Sequence, residues 1–221
     1  LPIYSYPEFL YEASKDKTRV VVAGSHGKTT ITSMILHVLH YHGIEEDYMV
    51  GAQLEGFTTM VKMTEEANFM VLEGDEYLSS PIDRRPKFLL YKPNITVISG
   101  IAWDHINVFP TFQDYLDQFS KYLDVVEEGG MVVYNAEDPV LKELVENHGG
   151  DYKMQSYSYP EHFIEGDQTI LITDFGEVPL NIFGKHNLLN LEAARKICNQ
   201  MGVMDDDFYE AIQSFSGASK R

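Results

Sequence analysis

Arg19-Val20-Val21-Val22-Ala23-Gly24-Ser25-His26-Gly27-Lys28-Thr29-Thr30 joins a short apolar, β-branched run to a glycine-rich turn ending in Gly-Lys-Thr. The run reads as a buried strand stopping at Gly24. Thr29 to His42 reads as a helix: Ile31, Ile35, Val38 and Leu39 fall near helical spacing, and Gly43 ends it. A glycine-rich turn between a buried strand and a helix is the setting in which backbone amides cradle phosphate oxygens. The helix N-terminus adds partial positive charge there. In such a loop Lys28 reaches the outer phosphates and the Thr29 hydroxyl is placed for Mg²⁺. The nucleotide-contacting candidates are therefore Gly24, Ser25, His26, Gly27, Lys28, Thr29 and Thr30. The spacing departs from G-x-x-x-x-G-K-[ST], since Val22 stands where that longer pattern has its first glycine. A dinucleotide site is disfavoured because G-x-G-x-x-G is absent.

Further along, Phe69-Met70-Val71-Leu72, Ile95-Thr96-Val97-Ile98-Ser99 and Met131-Val132-Val133-Tyr134 read as more buried strands. Between and around them, Phe112 to Leu123 is helical with Thr111 as N-cap, and Pro139 opens another helix. Asn187 to Met201 and Asp205 to Phe215 close the chain as two helices. Tyr152 to Phe183 is rich in Tyr, Thr, Asp and Gly and suggests a small antiparallel patch. The expected fold class is α/β: a three-layer P-loop-type domain, its mostly parallel sheet flanked by helices, with a small antiparallel edge sheet. The domain is expected over 18–216. Residues 1–17, with a helix from Tyr6 to Ser14, read as a linker from a preceding domain, and 217–221 as a junction to a following one.

The chain has 221 residues, 44% of them hydrophobic, enough to bury a core. Its formal net charge is −17. That argues against nucleic acid or an anionic membrane as partner, both of which need a basic face. The single cysteine, Cys198, excludes an internal disulfide framework and reads as core. No secretory leader pattern and no apolar run near the ~20 residues of a membrane span is visible. A cytoplasmic protein is expected.

Glu73-Gly74-Asp75-Glu76 follows the second strand, where an open α/β sheet forms its ligand crevice. A carboxylate there can hold Mg²⁺ across from Thr29. Glu73, ending the apolar run, is the first choice, with Asp75 and Glu76 behind it. Asp104-His105 follows the third strand; His105 can bind a second metal ion, hydrogen-bond a phosphate, or simply cap its loop. His37, His40 and His42 fit a partly exposed helix face better than a metal cluster.

Taken together, these motifs resemble the central domain of the Mur ligases, the amide ligases that build peptidoglycan precursors. Gly24 to Thr30 is similar to that family's short phosphate loop, Glu73-Gly74-Asp75-Glu76-Tyr77 to its acidic strand end, and Trp103-Asp104-His105 to its Asp-His step. Asn135-Ala136-Glu137-Asp138-Pro139 resembles its Asp-Asp-Pro stretch, and His186-Asn187-Leu188-Leu189-Asn190 its His-Asn-x-x-Asn signature. The resemblance implies ATP and Mg²⁺ as cofactors. Lys28, Glu73 and His105 would be catalytic; Thr29 and Glu73 would hold one Mg²⁺, and His105 a second. His186, Asn187 and Asn190 would contact the adenine side, with Arg221 near the nucleotide. It also implies UDP-N-acetylmuramate as one substrate, a small amine or peptide as the other, and flanking domains on both sides. Glu73 to Tyr77, Arg85-Pro86-Lys87-Phe88 and Tyr91-Lys92-Pro93 look more like the branch that reattaches a murein tripeptide than the branch that adds L-alanine. A nucleotide-dependent switch and a metal-dependent phosphohydrolase using Glu73, Asp75 and His105 are the competing classes.

Overall fold

The computed structural model describes residues 3–54, 56–103 and 108–217. Elements are numbered in chain order: α1 (Tyr6–Ser14), β1 (Thr18–Ala23), α2 (Lys28–Tyr41), β2 (Glu46–Met49), β3 (Val61–Lys62), β4 (Phe69–Gly74), β5 (Ile95–Ile98), α3 (Phe112–Asp124), β6 (Gly130–Asn135), α4 (Pro139–Asn147), β7 (Tyr152–Tyr157), β8 (His162–Glu165), β9 (Gln168–Thr173), β10 (Gly176–Leu180), α5 (Lys185–Gln200) and α6 (Asp205–Ile212).

The β-branched run of β1 is pleated, so successive side chains go to opposite faces. Val20 and Val22 enter one apolar layer with Ile31, Ile35 and Leu39 of α2, Leu191 and Ile197 of α5, and Phe208 of α6. Val21 and Ala23 enter the other, with Leu10 of α1, Tyr115, Phe119 and Tyr122 of α3, and Leu141 and Val145 of α4. A strand buried on both faces is largely apolar, which is why β1, β4 and β5 read as mostly hydrophobic runs. The main sheet has seven strands in the order β3-β2-β4-β1-β5-β6-β7. All neighbouring pairs are parallel except β2 with β3. Strand β1 lies between β4 and β5, so its C-terminal end opens into the crevice between their following loops. The expected three-layer α/β fold is the one observed.

Two features differ from expectation. Tyr152–Tyr157 is not antiparallel: it joins the main sheet as β7, parallel to β6 from Gly130↔Tyr152 to Asn135↔Tyr157. Apart from buried Tyr157 its residues are exposed or part-buried, as suits an edge strand, so it lacks the apolar signature of the central strands. The antiparallel sheet is smaller, in the order β10-β9-β8, and packs Leu171, Val178 and Leu180 onto the α2–α5 layer. Strands β2 and β3 carried no apolar run: β2 is Glu46-Asp47-Tyr48-Met49, its two acids buried by neighbouring chain. Cys198 is buried in the core, as its neighbours suggested. The helix-face histidines dock α2 on α6: His37 Nε2 lies 2.9 Å from Ser214 Oγ, and His42 Nε2 lies 2.8 Å from the Asp207 carbonyl. Among the described residues, no helix is long and apolar enough to cross a membrane.

Candidate functional site: the phosphate loop and its acidic wall

The loop between β1 and α2 is shaped by two glycines. Gly24 has φ +118°, and a Cβ on it would fall 2.7 Å from the Ser99 backbone nitrogen. Gly27 has φ +81°, and a Cβ there would press on the Asn190 side chain, 3.1 Å from its Cγ. Backbone bonds stitch the loop to the end of β5: Ser99 N donates to the Ala23 carbonyl and Ser25 N to the Gly100 carbonyl, each at 3.0 Å. The Ser99 hydroxyl donates to the His26 carbonyl. Gly27 is the N-cap of α2, and no side chain caps that helix start. Helix-start amides without a side-chain acceptor, together with the helix dipole, suit an anion.

Lys28 folds back over the loop. Its Nζ donates to the Gly24 carbonyl at 2.8 Å and to Glu76 Oε2 at 3.1 Å. Thr29, one residue on, donates its hydroxyl to Glu73 Oε2 at 3.2 Å. Glu73 is the penultimate residue of β4, in register with Val22. Burial pushes its carboxyl above the ordinary range, opposed by a hydrogen bond from Gly51 and by Thr29. Its other oxygen, Oε1, is buried and has no hydrogen-bond partner. A buried carboxylate with an orphaned oxygen beside a hydroxyl is a set of hard oxygen donors, and it fits Mg²⁺. Asp75 turns away to Lys87, 3.4 Å distant.

Beside the loop lies a cavity of about 300 Å³ lined by His26, Gly27, Asn135, Tyr159, His186 and Asn190, among others. Asn190, already in contact with Gly27, brings α5 to it. Asn187 is not among the lining residues; its Nδ2 donates to the Phe183 carbonyl at 2.7 Å. Asp138 holds two walls together. One oxygen caps α4 by accepting from Val140 N and Leu141 N, and the other accepts from Ile101 N at 2.7 Å. Asn135 Nδ2 donates to the Ser99 carbonyl at 3.0 Å. Thus the structure brings Gly24 to Thr30, Glu73, His186 and Asn190 to one crevice. His105 and Arg221 lie outside the described residues. Sequence reasoning did not single out Tyr115, whose hydroxyl reaches both Ser25 and Glu76. A tyrosine on an apolar helix face carries no signal of such a role.

The family model of the Mur ligase middle domain matches residues 22–198. The chain belongs to the Mur ligase middle-domain family. A UDP-N-acetylmuramate–L-alanine ligase of Desulfitobacterium hafniense is 30% identical over all of this chain and 49% of its own length. A UDP-N-acetylmuramate–L-alanyl-gamma-D-glutamyl-meso-2,6-diaminoheptandioate ligase of Haemophilus influenzae is 26% identical over 98% of this chain and 50% of its own. Among solved structures, the UDP-N-acetylmuramate:L-alanyl-gamma-D-glutamyl-meso-diaminopimelate ligase of Neisseria meningitides superposes with a TM-score of 0.86 at 25% identity, covering 100% of this chain and 73% of that one. The chain spans about half the length of the curated relatives it matches. In this Mur ligase middle domain the phosphate loop, the acidic end of β4 and the start of α5 form one continuous wall.

Proposed function

We propose that this chain is the ATP-binding, acyl-activating domain of a carboxylate–amine ligase acting on UDP-N-acetylmuramate in the cytoplasm, with a murein tripeptide as the amine substrate. The observation that carries the proposal is the pairing of Thr29 with the half-satisfied Glu73 directly beside the Lys28 loop. The triphosphate runs along the amides of Gly24 to Thr30, with Lys28 neutralising the γ-phosphate. His186 and Asn190 face the nucleoside in the neighbouring cavity, with Asn187 on the same helix turn; Arg221 would be a further nucleotide contact. Thr29 and Glu73 would hold one Mg²⁺ and His105 would help hold a second; bound there, the metal spreads the phosphate charge. The substrate carboxylate attacks the γ-phosphorus, ADP leaves, and an acyl phosphate forms. The amine then attacks the acyl carbon and phosphate departs. Such chemistry needs positioning and charge neutralisation more than covalent help from the protein.

Flanking domains on either side of 18–216 would bring the UDP-sugar and the amine, so the chain alone binds nucleotide without completing the amide bond. The tripeptide is favoured by Glu73 to Tyr77, Arg85 to Phe88 and Tyr91 to Pro93. The L-alanine reading has the 30% identical relative in its favour. Assaying the full-length protein with ATP, UDP-N-acetylmuramate and either amine separates the two. ADP release and product with the tripeptide alone are expected; product with L-alanine alone reverses the assignment. In this chain, Lys28→Ala is expected to weaken binding of a magnesium-bound ATP analogue at least tenfold by calorimetry. Unchanged binding would remove the nucleotide reading.

A further inference from the structure

Glu76 is a carboxylate only 1% exposed, yet both its oxygens are engaged. Oε2 accepts from Lys28 Nζ at 3.1 Å, and Oε1 accepts from the Tyr115 hydroxyl at 3.2 Å. The Tyr115 hydroxyl lies 2.9 Å from Ser25 Oγ, which in turn accepts from Ala102 N at 2.8 Å. A buried charge is tolerated only when paired and hydrogen-bonded, so this network is a built feature. Its cation is the phosphate-loop lysine itself. Of the three Nζ donors, one goes to the Gly24 carbonyl and one to Glu76. The ammonium is thus already neutralised by an internal anion in the position where an outer phosphate would need it.

We propose that Glu76, fastened by Tyr115, is a counter-anion for Lys28 with which the outer phosphates of a bound nucleotide compete, so that it sets the affinity for triphosphate. This deepens, and rests on, the nucleotide-binding reading above. Glu76 is a positioning residue: it acts through Lys28. Its negative charge opposes phosphates brought to the same ammonium. It also receives the ammonium when the outer phosphates leave. A nucleotide with only an α-phosphate makes no demand on Lys28 and is indifferent to the pair.

The test is calorimetric titration of the chain with a non-hydrolysable ATP analogue and with AMP, both with magnesium. Glu76→Gln keeps the shape and removes the charge; it is expected to bind the analogue about tenfold more tightly with AMP affinity unchanged. The gain is expected to vanish when Lys28→Met is added. Tyr115→Phe removes one of the carboxylate's supports and is expected to give a smaller gain of the same sign. Should Glu76→Gln fail to melt cooperatively near the parent temperature, Tyr115→Phe decides. The inference is overturned if the parent binds the analogue but both variants stay within twofold of it, if Glu76→Gln weakens binding as loss of a mere structural support would, or if the gain persists without Lys28. A parent chain that binds no triphosphate analogue removes the nucleotide reading itself, and this inference with it.

Discussion

At Glu73 stability and binding pull in opposite directions. The side chain is buried, and Oε1 has no partner, so ionising it costs the protein on its own. Its raised folded pKa means that its contribution to stability is present below the ordinary carboxylate range and is lost as pH rises through the folded value. Glu73→Gln is therefore expected to raise the melting temperature in EDTA at pH 8. The same variant is expected to weaken binding of a magnesium nucleotide tenfold or more, read by calorimetry. Lower melting together with unchanged magnesium dependence would show that Glu73 is structural. At this scale much was legible, since Lys28, Thr29 and Glu73 carry donor types and strand-end positions that chemistry recognises. Glu76 and Tyr115 were not legible as a pair. Their sequence separation is 39 residues, and only the packing of α3 under the end of β4 closes it.

Among the elements, α3 and α4 show how local signals survive folding. Thr111 accepts from Asp114 N at 3.1 Å, and the Asp114 side chain accepts in return from Thr111 N, a reciprocal cap visible in the residues themselves. Asp138 does more than cap α4, because its second oxygen holds Ile101 N beside the cavity. Asp138→Ala is expected to destabilise the chain by about 1–2 kcal/mol in denaturant unfolding. Asp138→Asn, which keeps one acceptor, is expected to recover part of that loss. Strands β2 and β7 escaped pattern reading for different reasons: β7 is a mostly solvated edge strand, whereas β2 is buried yet carries two acids that only tertiary neighbours make acceptable.

Across the whole molecule, buried charge ties the layers together. Arg19, 3% exposed, donates to the carbonyls of Ser14, Lys15, Lys17, Tyr91 and Lys92 and pairs with Glu127 at 2.9 Å. It thereby joins the end of α1 to the start of β1 and to the segments flanking β5 and β6. Glu46 is the opposite case: burial at the start of β2 pushes its carboxyl up to about 7. The folded chain then holds a proton that the unfolded chain has released, so stability falls as pH rises from about 4.5 to about 7. Glu46→Gln is expected to be more stable than the parent by about 1–2 kcal/mol at pH 8 and to match it near pH 4.5, measured by urea unfolding at both pH values. A constant difference across that range would place the effect elsewhere.

Residues alone determined the layered α/β fold, the strand–glycine loop–helix and the acid at the end of β4, because apolar periodicity, glycine freedom and donor chemistry are local properties of a chain. Tertiary structure decided which carboxylate meets which partner: Glu73 falls to Thr29, Glu76 to Lys28 and Tyr115, and Asp75 to Lys87. Those three acids stand within four residues of one another; the end of the apolar run marks Glu73, but nothing in their order says which partner each one meets. Their fates are set by side-chain direction at a strand end and by the helices packed over it, long-range facts that exist only once the sheet has formed.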